Sequence, residues 1–130
     1  MGKHILLVED EFFIRDLYTI ILTKAGHLVD TAEDGEVAIT KAVERKYDLI
    51  LLDIMLPKAT GVDVLRTIRS EEAAQSKTTP VIVVTNLGQQ NVLETIEKIG
   101  VEKILFKAKL SNEELVNEVH AFFKKLKSQS

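Results

Sequence analysis

Three short apolar runs, at residues 5–8, 49–52 and 81–84, constrain the fold more than any other feature of this sequence. Each run is continuously apolar rather than alternating, and the first and second are followed directly by Glu9 and Asp53. Runs of this length and pattern are typical of strands that are buried on both faces of a sheet. The sequence therefore predicts a parallel sheet with helices on both sides.

Segments with helical periodicity alternate with these runs and with two more polar, strand-like segments at residues 28–32 and 101–106. Helices are predicted at residues 12–25, 35–46, 62–72, 89–99 and from the capping sequence that starts at Ser111. Strands that alternate with helices form right-handed βαβ units, and the two polar strands suit the edges of the sheet. The order 2-1-3-4-5 meets both conditions and predicts an α/β, flavodoxin-like, doubly wound (βα)5 sandwich. The polar segment 70–79 is expected to be a solvated loop.

The composition excludes several classes of protein. A length of 130 residues suits one domain. Cysteine is absent from the sequence, which excludes disulfides, thiol catalysis and Cys-ligated metal centres. The net charge of −3 disfavours direct nucleic-acid binding, which usually needs a basic surface. The apolar runs are far shorter than the roughly 20 residues that span a bilayer, so we expect no membrane insertion and a cytoplasmic location.

Acidic residues end two neighbouring strands of the predicted sheet. Ligands of an open α/β sheet bind at the carboxyl ends of the strands, where the strand order reverses. In this order the reversal lies between the first strand, which ends at Glu9 and Asp10, and the third, which ends at Asp53. Carboxylates packed together need a proton or a cation, and oxygen ligands without His or Cys favour Mg²⁺, with Mn²⁺ also acceptable.

A hydroxyl and an ammonium are expected to join these carboxylates. The fourth strand ends at Thr85 and the fifth at Lys107, and both face the same mouth in the predicted order. Such a set can hold a phosphoryl group on a carboxylate, because the cations neutralise its charge. Residues 9–11 are all acidic, and their negative charge would repel the phosphate of a flavin, so a flavin-phosphate site is disfavoured. Met55 stands where a phosphohydrolase would need a second Asp two residues after Asp53, which disfavours that class.

These motifs resemble those of two-component response-regulator receiver domains, of the stand-alone chemotaxis-regulator type. The likeness rests on four segments, at residues 5–11, 48–57 with Gly61, 80–85 and 100–107. It extends over about residues 3–127, and so implies a single receiver domain over 1–130 with no output domain. Lys107 fits the family pattern better than Lys109, because it lies seven residues after Gly100.

The resemblance implies a role for each residue of the site. Asp53 would accept a phosphoryl group from a phosphohistidine of a sensor histidine kinase or phosphotransfer protein. The implied Mg²⁺ ligands are Glu9, Asp10, Asp53 and the backbone carbonyl of Met55. Thr85 and Lys107 would bind the phosphoryl group, and Thr85 with the residue at the aromatic switch position, Ile104, would change on activation.

The resemblance also implies a signalling switch rather than an enzyme. The domain would catalyse only its own phosphorylation and its slow self-dephosphorylation, since the flanking Met55 and Leu87 are apolar and position an attacking water poorly. Its output would be the binding of a downstream protein target through the fourth helix, fifth strand and fifth helix. It would act as a monomer or as a phosphorylation-dependent dimer.

Three departures from the family pattern leave an alternative open. Ala108 replaces the cis-proline that usually follows the lysine, which implies either a trans bond with a rebuilt loop or a strained cis bond. Ile104 replaces an aromatic residue. Asn86 replaces a small residue, and would narrow access to Asp53, bind the phosphoryl group or face water. The alternative is a pseudo-receiver, the same fold acting as a phosphorylation-independent interaction module.

Aromatic residues complete the predictions. Phe106 and one of Phe12 and Phe13 are expected in the core. An exposed Phe12 at the start of the first helix would be an anchor for the kinase.

Overall fold

The computed structural model describes residues 2–86 and 88–129. In that part of the chain the strands are β1 (His4–Val8), β2 (Leu28–Ala32), β3 (Leu49–Leu52), β4 (Val81–Thr85) and β5 (Lys103–Phe106). The helices are α1 (Phe12–Lys24), α2 (Gly35–Glu44), α3 (Gly61–Ser70), α4 (Gln90–Ile99) and α5 (Asn112–Gln129), and a 3₁₀ turn (Lys107–Lys109) follows β5. The strands are parallel and form one sheet in the order β2-β1-β3-β4-β5, which confirms the predicted topology.

Two hydrophobic clusters cover the two faces of the sheet. Leu6 and Val8 of β1 pack into the cluster formed with α2, α3 and α4, whereas Ile5 and Leu7 pack into the cluster formed with α1 and α5. Neighbouring residues of a strand point to opposite faces, so a strand covered on both sides is apolar at every position. Each helix packs an apolar face on the sheet, and α1 also exposes apolar side chains to solvent. Within the described residues, no helix has both the length and the apolar composition needed to cross a bilayer.

Local sequence signals define the helix ends. Gly26 follows α1 with a φ of +100°, a conformation that glycine adopts without strain. Ser111 and Glu114 form the predicted capping box at the start of α5, with hydrogen bonds of 2.9 and 3.1 Å. Thr60 and Asp63 form a second capping box at the start of α3. The two capping boxes follow β3 and β5 and so lie at the carboxyl edge of the sheet, whereas Gly26 lies before β2 at the opposite edge.

The polar segment 70–79 is exposed at most positions, as predicted, but its composition does not reveal that two of its hydroxyl side chains are buried. Ser76 and Thr79 are 0% and 2% exposed. The Ser76 hydroxyl accepts from the Tyr47 N–H at 3.0 Å and donates to the Arg45 carbonyl at 2.6 Å. The Thr79 hydroxyl donates to the Tyr47 carbonyl at 2.9 Å. Both backbone groups of Tyr47 are therefore satisfied by this segment, which anchors the chain just before β3.

The expectation that Phe106 and one of Phe12 and Phe13 lie in the core was wrong. Phe12 and Phe13 are both exposed, at 61% and 77%, and Phe106 is 37% exposed. Helix α1 packs on the sheet through a stripe that includes Tyr18 and Leu22, and both phenylalanines lie in its first turn, off that stripe. Phe106 is the last residue of an edge strand, where less of the sheet is covered.

Ser76→Ala should lower the free energy of unfolding by about 1–3 kcal/mol, because it leaves the buried Tyr47 N–H without its acceptor. Urea denaturation followed by circular dichroism measures this change. Ser70→Ala is the matched control: its hydroxyl is exposed and bonds within α3, so we expect a change of less than about 0.5 kcal/mol. Equal effects of the two substitutions would contradict the anchoring role of segment 70–79.

Candidate functional site

Three acidic residues converge at the carboxyl ends of β1 and β3. The register pairs Val8 with Leu52, and the Asp53 N–H donates to the Val8 carbonyl at 3.1 Å. Glu9 and Asp53 therefore leave adjacent strands at the same level. Each of Glu9, Asp10 and Asp53 offers a carboxylate oxygen that lies within 4.8 Å of the others. The structure thus brings together the three carboxylates that the sequence places at this reversal point.

The Asp53 carboxylate is held by three donors. Its Oδ1 accepts from the Thr85 hydroxyl at 2.9 Å and from the Met55 N–H at 3.1 Å. Its Oδ2 accepts from the Lys107 ammonium at 2.7 Å. Asp53 is 6% exposed and Thr85 is fully buried. The predicted hydroxyl and ammonium therefore both contact the predicted phosphoacceptor.

Lys107 also pairs with Glu9, and so links the end of β5 to the ends of β1 and β3. Its side chain is 10% exposed, so water screens these ion pairs weakly. Lys109, the other candidate, is exposed on the same turn and takes no part in the ion pairs of the described residues. Lys107 is therefore the lysine that belongs to this site.

Burial and the neighbouring charges have opposite effects on the pKa values of Glu9 and Lys107. Burial raises the pKa of the Glu9 carboxyl, and the hydrogen bond from Lys107 offsets only part of that rise. Burial also lowers the pKa of the Lys107 ammonium, but its hydrogen bonds to Asp53 and Glu9 outweigh this effect and leave the pKa above the usual lysine value. The ammonium therefore stays charged at neutral pH, beside carboxylates that need it.

Arg15 is a member of the site that sequence reasoning missed. Its guanidinium donates to the backbone carbonyls of Glu9 at 2.9 Å and of Asp10 at 3.1 Å. The Glu11 N–H in turn donates to the Glu9 carboxylate at 3.0 Å. These bonds hold the acidic loop after β1. The sequence contains no signal for this role, because an arginine in the first turns of a helix is more often solvated.

The loop after β3 is held against the start of α2. The Gly35 N–H donates to the Pro57 carbonyl at 3.2 Å, and a Cβ on Gly35 would lie 1.9 Å from the Ala59 carbonyl oxygen. Lys58 adopts a φ of 69° and its ammonium lies 3.6 Å from the Asp34 carboxylate, which also caps α2. Glycine at position 35 therefore permits the close approach that holds the loop carrying Met55.

Two of the three remaining predicted residues, Met55 and Ile104, fall within the described part of the chain. The Met55 side chain is 60% exposed, and the role of its carbonyl stays a prediction. Ile104 is half-buried and packs against the core, and its role as a switch residue stays a prediction. Leu87 lies outside the described residues.

The two loop departures are in contact with each other. Among the described residues every peptide bond is trans, including the bond between Lys107 and Ala108. These residues lie in a 3₁₀ turn. Of the two predicted arrangements, the structure therefore has the trans bond with a rebuilt loop. The Asn86 side chain accepts a hydrogen bond from the Ala108 N–H at 3.0 Å. Asn86 is solvent-exposed, as one of the three expectations held, and among the described residues its side chain bonds to Ala108 rather than to Asp53.

The acidic cluster fits a hard divalent cation. Its candidate ligands are all carboxylate oxygens, without nitrogen or sulfur donors. Asp10 is exposed whereas Glu9 and Asp53 are buried, so a partly hydrated ion can enter from solvent and keep several of its waters. This combination of few carboxylates and retained water is what Mg²⁺ prefers.

Comparison with known proteins adds a family match. The model of the response regulator receiver domain matches residues 5–120. Transcriptional regulatory protein ResD of Bacillus subtilis is 43% identical over 86 residues, which is 66% of this chain and 34% of ResD. Protein-glutamate methylesterase/protein-glutamine glutaminase of Archaeoglobus fulgidus is 36% identical over 106 residues, 81% of this chain and 29% of that protein. The chain spans about a third of the length of the curated relatives it matches.

Solved structures share the fold over most of the chain. Chemotaxis response regulator CheY4 of Vibrio cholerae superposes with a TM-score of 0.82 at 27% identity, covering 93% of this chain and 98% of that one. The receiver domain of sensor histidine kinase PA1611 from Pseudomonas aeruginosa, with a magnesium ion coordinated in its active site cleft, gives a TM-score of 0.81 at 30% identity, covering 93% and 97%. A CheY-like receiver domain protein from Methanospirillum hungatei gives 0.88 at 21% identity over all of both chains, which supports the fold alone.

Lys107→Met should lower the free energy of unfolding by roughly 3 kcal/mol, because it leaves the buried Glu9 and Asp53 without their cation. Burial already raises the pKa of Glu9, so ionising this carboxyl costs stability as the pH rises, and losing the ammonium enlarges that cost. The deficit should therefore be larger at pH 8 than at pH 5. Urea denaturation at both pH values measures it.

Lys109→Met is the matched control, since Lys109 is exposed on the same turn and should change stability by less than about 0.5 kcal/mol. Added Mg²⁺ should restore part of the stability lost in Lys107→Met, because it binds the folded cluster. A deficit that is the same at both pH values would show that the buried carboxylates do not depend on Lys107.

Proposed function

The chain belongs to the response regulator receiver domain family, and from that membership we propose that it is a phosphorelay receiver which takes a phosphoryl group from a phosphohistidine onto Asp53. The observation that carries the proposal is the environment of this carboxylate. Asp53 is buried among a hydroxyl, an ammonium and two further acids at the reversal point of the sheet. A solvated acid needs none of these groups. Together they are what an acyl phosphate needs for charge neutralisation.

In the proposed transfer, an Asp53 carboxylate oxygen attacks the phosphorus atom of the phosphohistidine. The P–N bond breaks, its electron pair returns to the imidazole nitrogen, and that nitrogen takes up a proton. Thr85 and Lys107 already contact the two oxygens of Asp53, so both donors lie within reach of a phosphoryl group placed there. They would hold the transferred oxygens by hydrogen bonding and charge.

Glu9, Asp10 and Asp53 would hold Mg²⁺, with the Met55 carbonyl as a further ligand and Mn²⁺ as a substitute. Bound there, the ion would neutralise charge that develops on the phosphoryl oxygens. The spacing of the carboxylate oxygens supports this assignment. So does the magnesium ion in the PA1611 receiver domain, which is 30% identical to this chain.

Partner binding is proposed at two surfaces. The first is the start of α1, where Phe12 and Phe13 are exposed with their ring centroids 5.5 Å apart, next to the acidic loop. Exposed aromatic residues are frequent anchors in protein interfaces, so we assign this surface to the sensor kinase or phosphotransfer protein. The second is the α4-β5-α5 face, where the exposed Phe106 would contact a downstream protein target. The protein would be a monomer, or a dimer when phosphorylated, without direct nucleic-acid contacts.

Incubation with acetyl phosphate or phosphoramidate and Mg²⁺ should add one phosphoryl group to the protein, measured by intact-mass spectrometry. Asp53→Asn should abolish the addition, because an amide oxygen does not form the acyl phosphate. Asp48→Asn is the matched control: Asp48 is an exposed acid at the opposite end of β3, and this variant should react like the wild type. A wild type that gains no phosphoryl group, even from a cognate kinase, would favour the pseudo-receiver.

The acyl phosphate should persist for minutes or longer after the donor is removed with Mg²⁺ present. Met55 beside Asp53 is apolar and exposed, so it cannot orient an attacking water by hydrogen bonding. Repeated intact-mass measurements follow the decay. Met55→Gln should shorten the lifetime several-fold, whereas Met55→Leu should not; a wild-type lifetime of seconds would contradict the prediction.

Phe12→Ala should slow phosphotransfer from the kinase or phosphotransfer protein by about tenfold, since an exposed aromatic anchor commonly contributes more than 1 kcal/mol to binding. The same variant should react with acetyl phosphate at the wild-type rate, because Phe12 is absent from the contacts of Asp53. Leu28→Ala, another exposed apolar residue on the distant edge strand β2, is the control. Unchanged phosphotransfer in Phe12→Ala would remove α1 as the docking surface.

A further inference from the structure

The chain segments that carry Thr85 and Lys107 are joined beyond the last paired residues of their strands. The ladder between β4 and β5 ends where Thr85 pairs with Phe106. Past that point the Asn86 Oδ1 accepts a hydrogen bond from the Ala108 N–H at 3.0 Å. A backbone N–H can only donate, so the atom facing it must be the side-chain carbonyl oxygen. The orientation of the Asn86 amide is therefore determined by this contact.

This bond caps the turn that begins with Lys107. The first N–H groups of a helical turn lack acceptors within the turn. In this 3₁₀ turn the internal bond runs from the Leu110 N–H to the Lys107 carbonyl at 3.2 Å. The Ala108 N–H instead finds its acceptor 22 residues away, in the loop after β4. A side chain of the loop after β4 thus supplies the acceptor for a backbone N–H of the turn after β5.

The contacts form a closed ring around the phosphoacceptor. Thr85 donates to one oxygen of Asp53 and Lys107 donates to the other. Asn86 directly follows Thr85, Ala108 directly follows Lys107, and the bond between Asn86 and Ala108 completes the ring. The bond therefore limits how far the backbone segments that carry Thr85 and Lys107 can separate.

We propose that Asn86 is a positioning residue that holds Lys107 over Asp53, and so prepares the ammonium for the incoming phosphoryl group. The inference rests on the proposed function, because the reaction it serves is phosphorylation of Asp53. Without Asn86, the last backbone link to the loop after β4 would be the pairing of Thr85 with Phe106. Beyond that pair, Lys107 would be held by the ion pairs of its own ammonium, which the phosphoryl group must reorganise. A lysine that is ordered before the donor arrives loses less freedom during transfer.

The experiment compares the wild type with Asn86→Ala, Asn86→Asp and Gln89→Ala. Asn86→Asp keeps an oxygen acceptor at the same position. Gln89 is an exposed amide in the same loop, and as the residue before α4 it makes no side-chain capping bond. NMR gives the solvent exchange of the Ala108 amide and the order parameter of the Lys107 Cε. Intact-mass kinetics at varied phosphoramidate and Mg²⁺ give the maximal phosphorylation rate and both half-saturation concentrations.

Asn86→Ala should speed exchange of the Ala108 amide by about tenfold and should lower the order of the Lys107 side chain. Its maximal phosphorylation rate should fall by about fivefold, while both half-saturation concentrations change by less than about twofold. Asn86→Asp should keep both NMR values near those of the wild type. Gln89→Ala should change none of the measured quantities.

Faster Ala108 exchange with an unchanged phosphorylation rate would make Asn86 merely structural and would overturn the proposal. Unchanged exchange would overturn it too, because the bond would then not protect the turn. A wild type that takes up no phosphoryl group would instead defeat the proposed function. In that case the order of the Lys107 Cε in Asn86→Ala still decides whether Asn86 positions the lysine, and unchanged order overturns the inference.

Discussion

The ammonium of Lys107 lies between two buried carboxylates, and much of the surrounding structure follows from this contact. The parallel sheet brings Glu9 and Asp53 to the same level of adjacent strands. Two like charges taken out of water at this distance destabilise the fold unless a cation joins them. Lys107 supplies that charge from the far edge of the sheet, almost a hundred residues along the chain from Glu9. The site is therefore electrostatically complete only when β5 and the turn after it are in place.

The precision of the site comes from the strand ends and from hydrogen bonds that hold the short loops. The Asp53 N–H extends the ladder between β1 and β3 by one further bond. Arg15 holds the acidic loop, Gly35 lets α2 approach the loop after β3, and Asn86 joins the loops after β4 and β5. Groups held on rigid elements and supported by outer contacts keep the geometry that charge neutralisation requires.

The partly buried acidic cluster suits the proposed binding of a cation, but it lowers the stability of the folded protein. Burial raises the pKa of Glu9, which means that its ionised form is disfavoured in the folded protein. A cation or a bound phosphoryl group would alter this balance, because each changes the net charge around Asp53. A ligand shifts a conformational equilibrium only when it interacts differently with the two conformations. The proposed switch is thus consistent with the electrostatics, even though Ile104 lacks the aromatic ring that the family pattern led us to expect.

The sequence by itself determined the fold class, the strand order and the residues at the strand ends. Continuous apolar runs report burial on both faces, and the polar residue after each run marks the edge where a site forms. Only the tertiary structure decided that Ser76 and Thr79 are buried, that Phe12 and Phe13 are exposed, and that Asn86 binds Ala108. The physical reason is that a hydrogen-bond partner depends on distances between residues far apart in the chain. Polarity alone does not distinguish a side chain that meets water from one that meets a backbone group of another loop.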